Sequence, residues 1–365
     1  MTASSAAAVP GGTPAHAGPG PGRTVGHVAL HLLTPLLMCL GMGLTYLGAF
    51  HAPEPNGMKV AVVGTGARVQ VLAQTLKDEA GDALDVTTVP TRDAAVDRLT
   101  DRDLAGAYVP SAEHPRLLVA RGNSDTTATA AESVFRAVAA REHAVLTVTD
   151  VAPTTQGDPT GQGLFFVLVT ISIGSYASVA AIGTAGAALR LWTRAAVGLV
   201  TSLVVSAIGI ALAGPVFHIV DHDRAGVWGM AWLYSAGIIA IGVGLHTFLK
   251  RWTTLAMMTL FVMLNFTTSG GIFRPELQDG FFGALHAFWN GAGFVEGVRD
   301  LLYFPSGGEL GGRVASLVVW LGVGVLALAA ADRAERRARR AAPPAPLPTA
   351  GERRAEEEVG EAVAA

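Results

Sequence analysis

Six stretches of the chain are apolar over a length that suits a bilayer, and a segment of alternating polar and apolar residues separates the first from the other five. The first stretch runs from Val28 to Phe50, about 23 residues, enough to cross roughly 30 Å of hydrocarbon. A signal peptide would set a charged region directly before a shorter apolar core, whereas this run is long enough to span, so it reads as an uncleaved transmembrane helix. Pro35 is its kink point, where Thr34 or a neighbouring helix takes up the freed carbonyl. The later spans are Leu164–Leu189, Ala195–Phe217, Val227–Leu249, Thr253 to about Phe273, and Val314–Ala331. Small residues recur every fourth position at Ala236, Ala240 and Gly244, a spacing that lets helix backbones approach closely.

Between His51 and Gly161 the pattern changes. MKVAVVG, LDVTTVP, LAGAYVP, PRLLVAR and VLTVTDV read as strands, and three intervening segments carry apolar residues near the helical period. The order β-α-β-α-β-β-α-β predicts a small mixed α/β domain of about 100 residues. The predicted fold is an α-helical integral membrane protein with six transmembrane helices, one plus five, and an extracytoplasmic α/β domain between the first two. Its boundaries are a disordered tail over 1–24, helix one over 25–50, the α/β domain over 51–161, and a five-helix membrane domain over 162–332. That last unit holds an external re-entrant or amphipathic segment at 276–304, and 333–365 is a basic, then disordered, tail.

Composition supports this reading, since 15% of residues are charged where a soluble domain carries about 25%. The net charge of −3, with no basic patch interleaved with aromatics, argues against a nucleic-acid partner. The single cysteine, Cys39, excludes an internal disulfide and reads as a small residue within helix packing. Basic residues cluster at Arg190 and Arg194, at Lys250 and Arg251, and from Arg333 to Arg340. The positive-inside rule then places both termini in the cytoplasm and residues 51–161 outside a plasma membrane.

Candidate chemistry is sparse. VAVVGTGARV has Gly64 and Gly66 between a strand and a helix, but Val69 stands where a dinucleotide site needs a small residue, so it reads as a tight turn. GDPTGQG at 157–163 has no Lys-Ser or Lys-Thr and cannot cradle phosphates as a P-loop does. His218, Asp221, His222 and Asp223 read as a solvated turn rather than a metal site, and His31 and His246 as interfacial residues. No cofactor and no enzymatic activity are expected.

The stretch richest in information is Thr253–Phe304. Its apolar run breaks at Asn265, Thr267, Thr268, Ser269, Gly270 and Gly271. Two readings fit: the helix ends at the outer interface with the glycines as its cap, or the break is buried and its polar groups need partners. Beyond Pro275, Glu296 and Arg299 stand three apart; they read as a solvated interfacial face, with an ion pair on one helical face as the alternative.

NFTTSGGIFRPELQDGFFGALHAFWNGAGFVEGVRDLLYF resembles a pattern in the membrane subunits of type 2 ABC exporters, more narrowly in phage-infection-protein-like membrane proteins. The similarity rests on Ser269, Gly270, Gly271, Pro275, Arg299, Tyr303 and Phe304, on the segment DPTGQGLFFVLVTISIGSYASVAAIG, and on the one-plus-five layout. Asn290-Gly291 stands where the pattern commonly has Pro-Gly. The resemblance implies a bacterial permease subunit, working as a homodimer in the lipid bilayer with a separate ATPase. Its cargo would be an amphipathic, drug-like or lipid-linked compound. It also implies an outer gate formed by Asn265, Thr267–Gly271, Pro275, Glu296 and Arg299. Arg190, Trp192 and Arg194 would form the cytoplasmic coupling loop, although ALRLWTRA is shorter than the coupling helix such subunits use. The alternative is a non-transporting membrane protein whose external domain binds a cell-envelope partner or acts as a receptor.

Overall fold

The computed structural model describes residues 21–306 and 308–341; of the tails expected over 1–24 and 333–365, residues 1–20 and 342–365 lie outside the described residues, and 333–341 continue the last helix. Helix α1 (Pro21–Phe50) starts within the segment predicted as tail, and its Pro35 lies inside the helix. The side chain of His31 is also outside the described residues.

The α/β domain follows the predicted order: β1 (Met58–Val63), α2 (Ala67–Ala80), β2 (Leu84–Val89), α3 (Arg92–Thr100), β3 (Gly106–Val109), β4 (Arg116–Val119), α4 (Asp125–Arg141) and β5 (Thr147–Asp150). The sheet order is β2-β1-β3-β4-β5, parallel except where β3 meets β4. Period-two alternation sets the two faces. Met58, Val60 and Val62 pack with Phe135 of α4 on one side. Ala61, Val63 and Leu118 pack with Leu99 of α3 on the other, where Phe304 from the far end of the chain joins them. Thr91 and Ser124 cap α3 and α4 by accepting from the N–H groups of Ala94 and Thr127, both at 3.2 Å. Gly64, at φ 134, makes the tight turn after β1, with the Val69 side chain against it.

The remainder is helical: α5 (Gly163–Ala185), α6 (Leu191–Ala211), α7 (Arg224–Leu249), α8 (Thr253–Met258), α9 (Leu264–Thr268), α10 (Gly280–His286), α11 (Asn290–Tyr303) and α12 (Leu310–Ala341). A π-helical turn at Leu212–Val216 ends α6, and another at Thr259–Met263 joins α8 to α9. Five segments are long and apolar enough to cross a membrane, where the sequence pattern predicts six. One of them, Arg224–Thr268, is 45 residues long, about 68 Å as a straight helix, more than twice the hydrocarbon thickness. It folds back at Lys250, which takes φ 46 and ψ −113. The return leg is antiparallel to α7, since Thr253 meets His246 at 3.2 Å and Asn265 meets Tyr234. That leg stops at Thr268 rather than Phe273, short of a full crossing.

Helix α7 is the axis of the bundle, packed by α5, α6, α11 and α12. The small-residue spacing has its expected consequence: a Cβ on Gly244 would lie 2.7 Å from the Ala327 backbone, and one on Gly324 would lie 2.6 Å from Ala240. Helix α1 touches the bundle through Gly41 against Met263 and Gly48 against Phe282. Its leucines are exposed, and so is Cys39, which is not the packed residue expected. Exposed apolar side chains on α1, α6 and α12 suit a lipid surround.

Candidate functional site

The broken end of α9 organises the site. A helix leaves its last carbonyls without backbone partners, and at this depth water is not at hand. Asn265, Thr267, Thr268 and Ser269 are all 0–1% exposed, so the helix does not end at an interface under a glycine cap. The partners come from a re-entrant hairpin. After Arg274 the chain turns at Pro275–Leu277, descends as α10 and rises as α11. Gln278 Nε2 donates to the Thr267 carbonyl at 2.8 Å and His286 Nδ1 to the Thr268 carbonyl at 2.8 Å. Arg299 Nη1 donates to the Gly270 carbonyl at 2.9 Å. The threonine and serine hydroxyls are spent on their own helix, from Thr267 to Met263, Thr268 to Leu264 and Ser269 to Phe266. Gly270 has φ 73, and a Cβ there would lie 2.7 Å from the His286 ring and 2.8 Å from the Glu296 carboxylate. Only glycine fits.

The hairpin tip reaches the middle of the bundle. The Trp289 indole donates to the Leu260 carbonyl at 3.1 Å, within the π turn, and the Trp320 indole donates to the Phe288 carbonyl at 2.8 Å. Trp320 is ten residues into α12, about 15 Å below its start, half of a bilayer core. Asn265 donates to the Tyr234 hydroxyl, which also contacts Ser172, and Ser175 meets Ser235 at 2.8 Å. These bonds tie α5, α7 and α9 together at the same level.

Above the plug lies a charged hub, and here the expectation fails. Glu296 is 0% and Arg299 2% exposed, not a solvated face, because α11 is enclosed by its neighbours and the α/β domain. Glu296 and Arg299 do pair, at 2.8 Å. Glu296 also accepts from Arg274 at 2.8 Å and from Arg102, which pairs in addition with Asp300. Burying so many charges is tolerable because every one of them faces an opposite charge. Arg102 belongs to the α/β domain, follows α3, and takes φ 62. Burial, reinforced by the neighbouring Arg274, pulls its guanidinium down to about 9, which leaves it charged at neutral pH. Arg274 is lowered by burial as well. Burial alone would raise the Glu276 carboxyl, but Arg274, backbone N–H and Thr127 together hold it below the usual carboxylate range.

Further bonds seat the domain on the hairpin. Asn56 N–H donates to the Glu276 carbonyl at 2.8 Å, Thr126 to the Ile272 carbonyl at 2.8 Å, and Thr127 to the Glu276 carboxylate at 3.2 Å. Between domain and hairpin a cavity of about 320 Å³ is lined by Lys59, Arg102, Asn123, Arg274 and Glu276 among others.

Of the predicted gate residues, Asn265, Thr267–Gly271, Pro275, Glu296 and Arg299 all fall within this assembly. Arg190, Trp192 and Arg194 are at the opposite end of the bundle, where Arg190 precedes α6, Trp192 is exposed and Arg194 is buried against Glu335. Reading the sequence missed Arg102, Asn123, Arg274, Glu276, Gln278, His286 and Asp300. One signal was available: Glu296, Arg299 and Asp300 share a helix face inside an apolar stretch, where ionisable residues mark function. Asp221 and His222 pair on the surface, and the described residues hold no group of three or more metal-ligating side chains. Comparison with protein-family models, curated proteins and solved structures gives no match for this chain.

Proposed function

We propose that this chain is the membrane-spanning subunit of a type 2 ABC-like exporter in a bacterial plasma membrane, held here with its outer gate closed. The cargo class is an amphipathic, drug-like or lipid-linked compound, and a separate ATPase supplies the energy. The observation that carries the reading is the completion of the α9 end by Gln278, His286 and Arg299 of the hairpin. A seal of a few exchangeable hydrogen bonds can be opened by moving one hairpin, whereas a continuous hydrophobic core cannot. The α/β domain, joined to the hub through Arg102, would move with it.

The test is a mild-detergent purification of the tagged chain from its native membranes, followed by mass spectrometry and an ATPase assay. The reading expects a stoichiometric P-loop ATPase whose turnover depends on the chain. Recovery of only external envelope proteins or further copies of the chain would overturn it and turn attention to the α/β domain as a receptor module.

A further inference from the structure

The cavity of about 320 Å³ between domain and hairpin lies beside the starts of β1 and β3 and faces the Arg274–Glu276 turn. At about 30 Å³ for each water displaced, it has room for a solute of about ten non-hydrogen atoms. Hub and seam bonds occupy much of its wall, and three polar atoms are left over.

Asn123 is 5% exposed, and its Oδ1 accepts from Arg102 Nε at 2.9 Å and from Arg274 Nη1 at 2.8 Å. Those two donors fix which end of the amide is the oxygen, and the Nδ2 end has no acceptor among the described residues. Arg274 spends Nε on Glu276 at 3.0 Å and Nη1 on Asn123 and Glu296, which leaves Nη2 without a partner. Glu276 Oε1 accepts from Arg274 and from Thr127, which leaves Oε2 free. None of the three atoms is sealed off, and all three residues line the cavity. Polar groups this deep are normally paired, so two donors and one acceptor around one space call for a ligand that supplies the complement.

Charge and size select its class. Lys59, Arg102 and Arg274 line the cavity against Asp103 and Glu276, and Asp103 is shared with Arg98 outside it. The walls therefore carry an excess positive charge, which a metal ion or a neutral sugar leaves uncompensated. An inorganic anion is too small to fill the space and sets its own charge against Glu276. A carboxylate accepts from Asn123 Nδ2 and Arg274 Nη2, and an ammonium donates to Glu276 Oε2. Such charge-assisted bonds are about twice as strong as neutral ones. A second carboxylate answers Lys59, which stands at the mouth with its side chain 58% exposed.

We propose that the cavity binds a small amino dicarboxylate, clamped between Asn123 and Lys59 of the α/β domain and Arg274 and Glu276 of the hairpin. The site is distinct from the α9 end and does not rest on the transport reading.

L-glutamate has this size and charge, and glutarate lacks only its ammonium. Isothermal titration of the full chain in phosphatidylcholine nanodiscs should show one saturable site for L-glutamate, at least tenfold tighter than for glutarate or glucose. Asn123→Asp keeps the oxygen that Arg102 and Arg274 need but turns the free donor into an anion, so binding should fall at least tenfold. Glu276→Gln should bring L-glutamate and glutarate to within twofold of each other. The absence of a saturable L-glutamate site overturns the proposal, as does tighter binding of glucose, wild-type binding in Asn123→Asp, or an undiminished preference in Glu276→Gln.

Discussion

Arg102→Met is the sharpest probe of the hub. Glu296 keeps Arg274 and Arg299 when Arg102 is lost, but Asp300 loses its charged partner, and its second oxygen is already unpaired and buried. The damage therefore concentrates on one carboxylate. Removing one member of a buried pair costs about 3–5 kcal/mol, most of it the burden of the charge left behind. Asp300→Asn in the same chain removes that charge, so the double variant should recover about 2 kcal/mol, even though Asp300→Asn alone destabilises. Amide hydrogen exchange across α3, β3 and α11 in nanodiscs reads this directly, because each 1.4 kcal/mol is a tenfold change in rate. Arg102→Met should exchange at least 100-fold faster than the wild type, and the double variant should be slowed by about 30-fold from there. A single variant within threefold of wild type would refute the reasoning, and so would a double variant faster than Arg102→Met.

Gly270→Ala faces both a left-handed backbone and two close neighbours, so it should cost roughly 2–4 kcal/mol and shift an SDS unfolding titration to lower detergent fraction. His286→Leu leaves the Thr268 carbonyl bare, at about 1–3 kcal/mol in the same titration. Gln278→Leu should be milder, because it also removes an Oε1 that is buried without a partner. The Glu276 carboxyl is held below its ordinary value, so its contribution is present above the unfolded carboxylate pKa and is lost as pH falls through the lower folded value. Hydrogen exchange at the domain–hairpin seam should accelerate below about pH 4.5, and Glu276→Gln should flatten that response.

The order of strands and helices along the α/β domain and the small-residue stripe of α7 were legible because they depend on local periodicity and side-chain size. That Gly324 of α12 is what meets Ala240 came only with the structure. The break at Asn265–Gly271 was visible too, as polar residues where lipid tolerates none. What closes it was not. Gln278 and His286 look like ordinary polar residues of a surface segment, and their partners are backbone carbonyls that carry no sequence signal. Glu296 reads as solvated because two of the three guanidinium groups around it, Arg102 and Arg274, lie 194 and 22 positions away, the first in another domain. The fifth span misled by hydropathy: Ile272 and Phe273 extend the apolar run, but Gly270 has already turned the chain out of the helix.

The π turn at Thr259–Met263 carries one residue more than an α turn needs. Were it to tighten into α-helix, everything beyond it would swing by about 100° around the helix axis, the angle one residue occupies. Such a swing would carry Asn265 away from Tyr234 and turn the Thr267 and Thr268 carbonyls off Gln278 and His286 together. The wall and the stopper are thus geared to a single slack residue. Deleting Val262 would take up that slack permanently, and faster exchange at both the Tyr234 level and the hairpin, in one variant, is the signature of a shared gear.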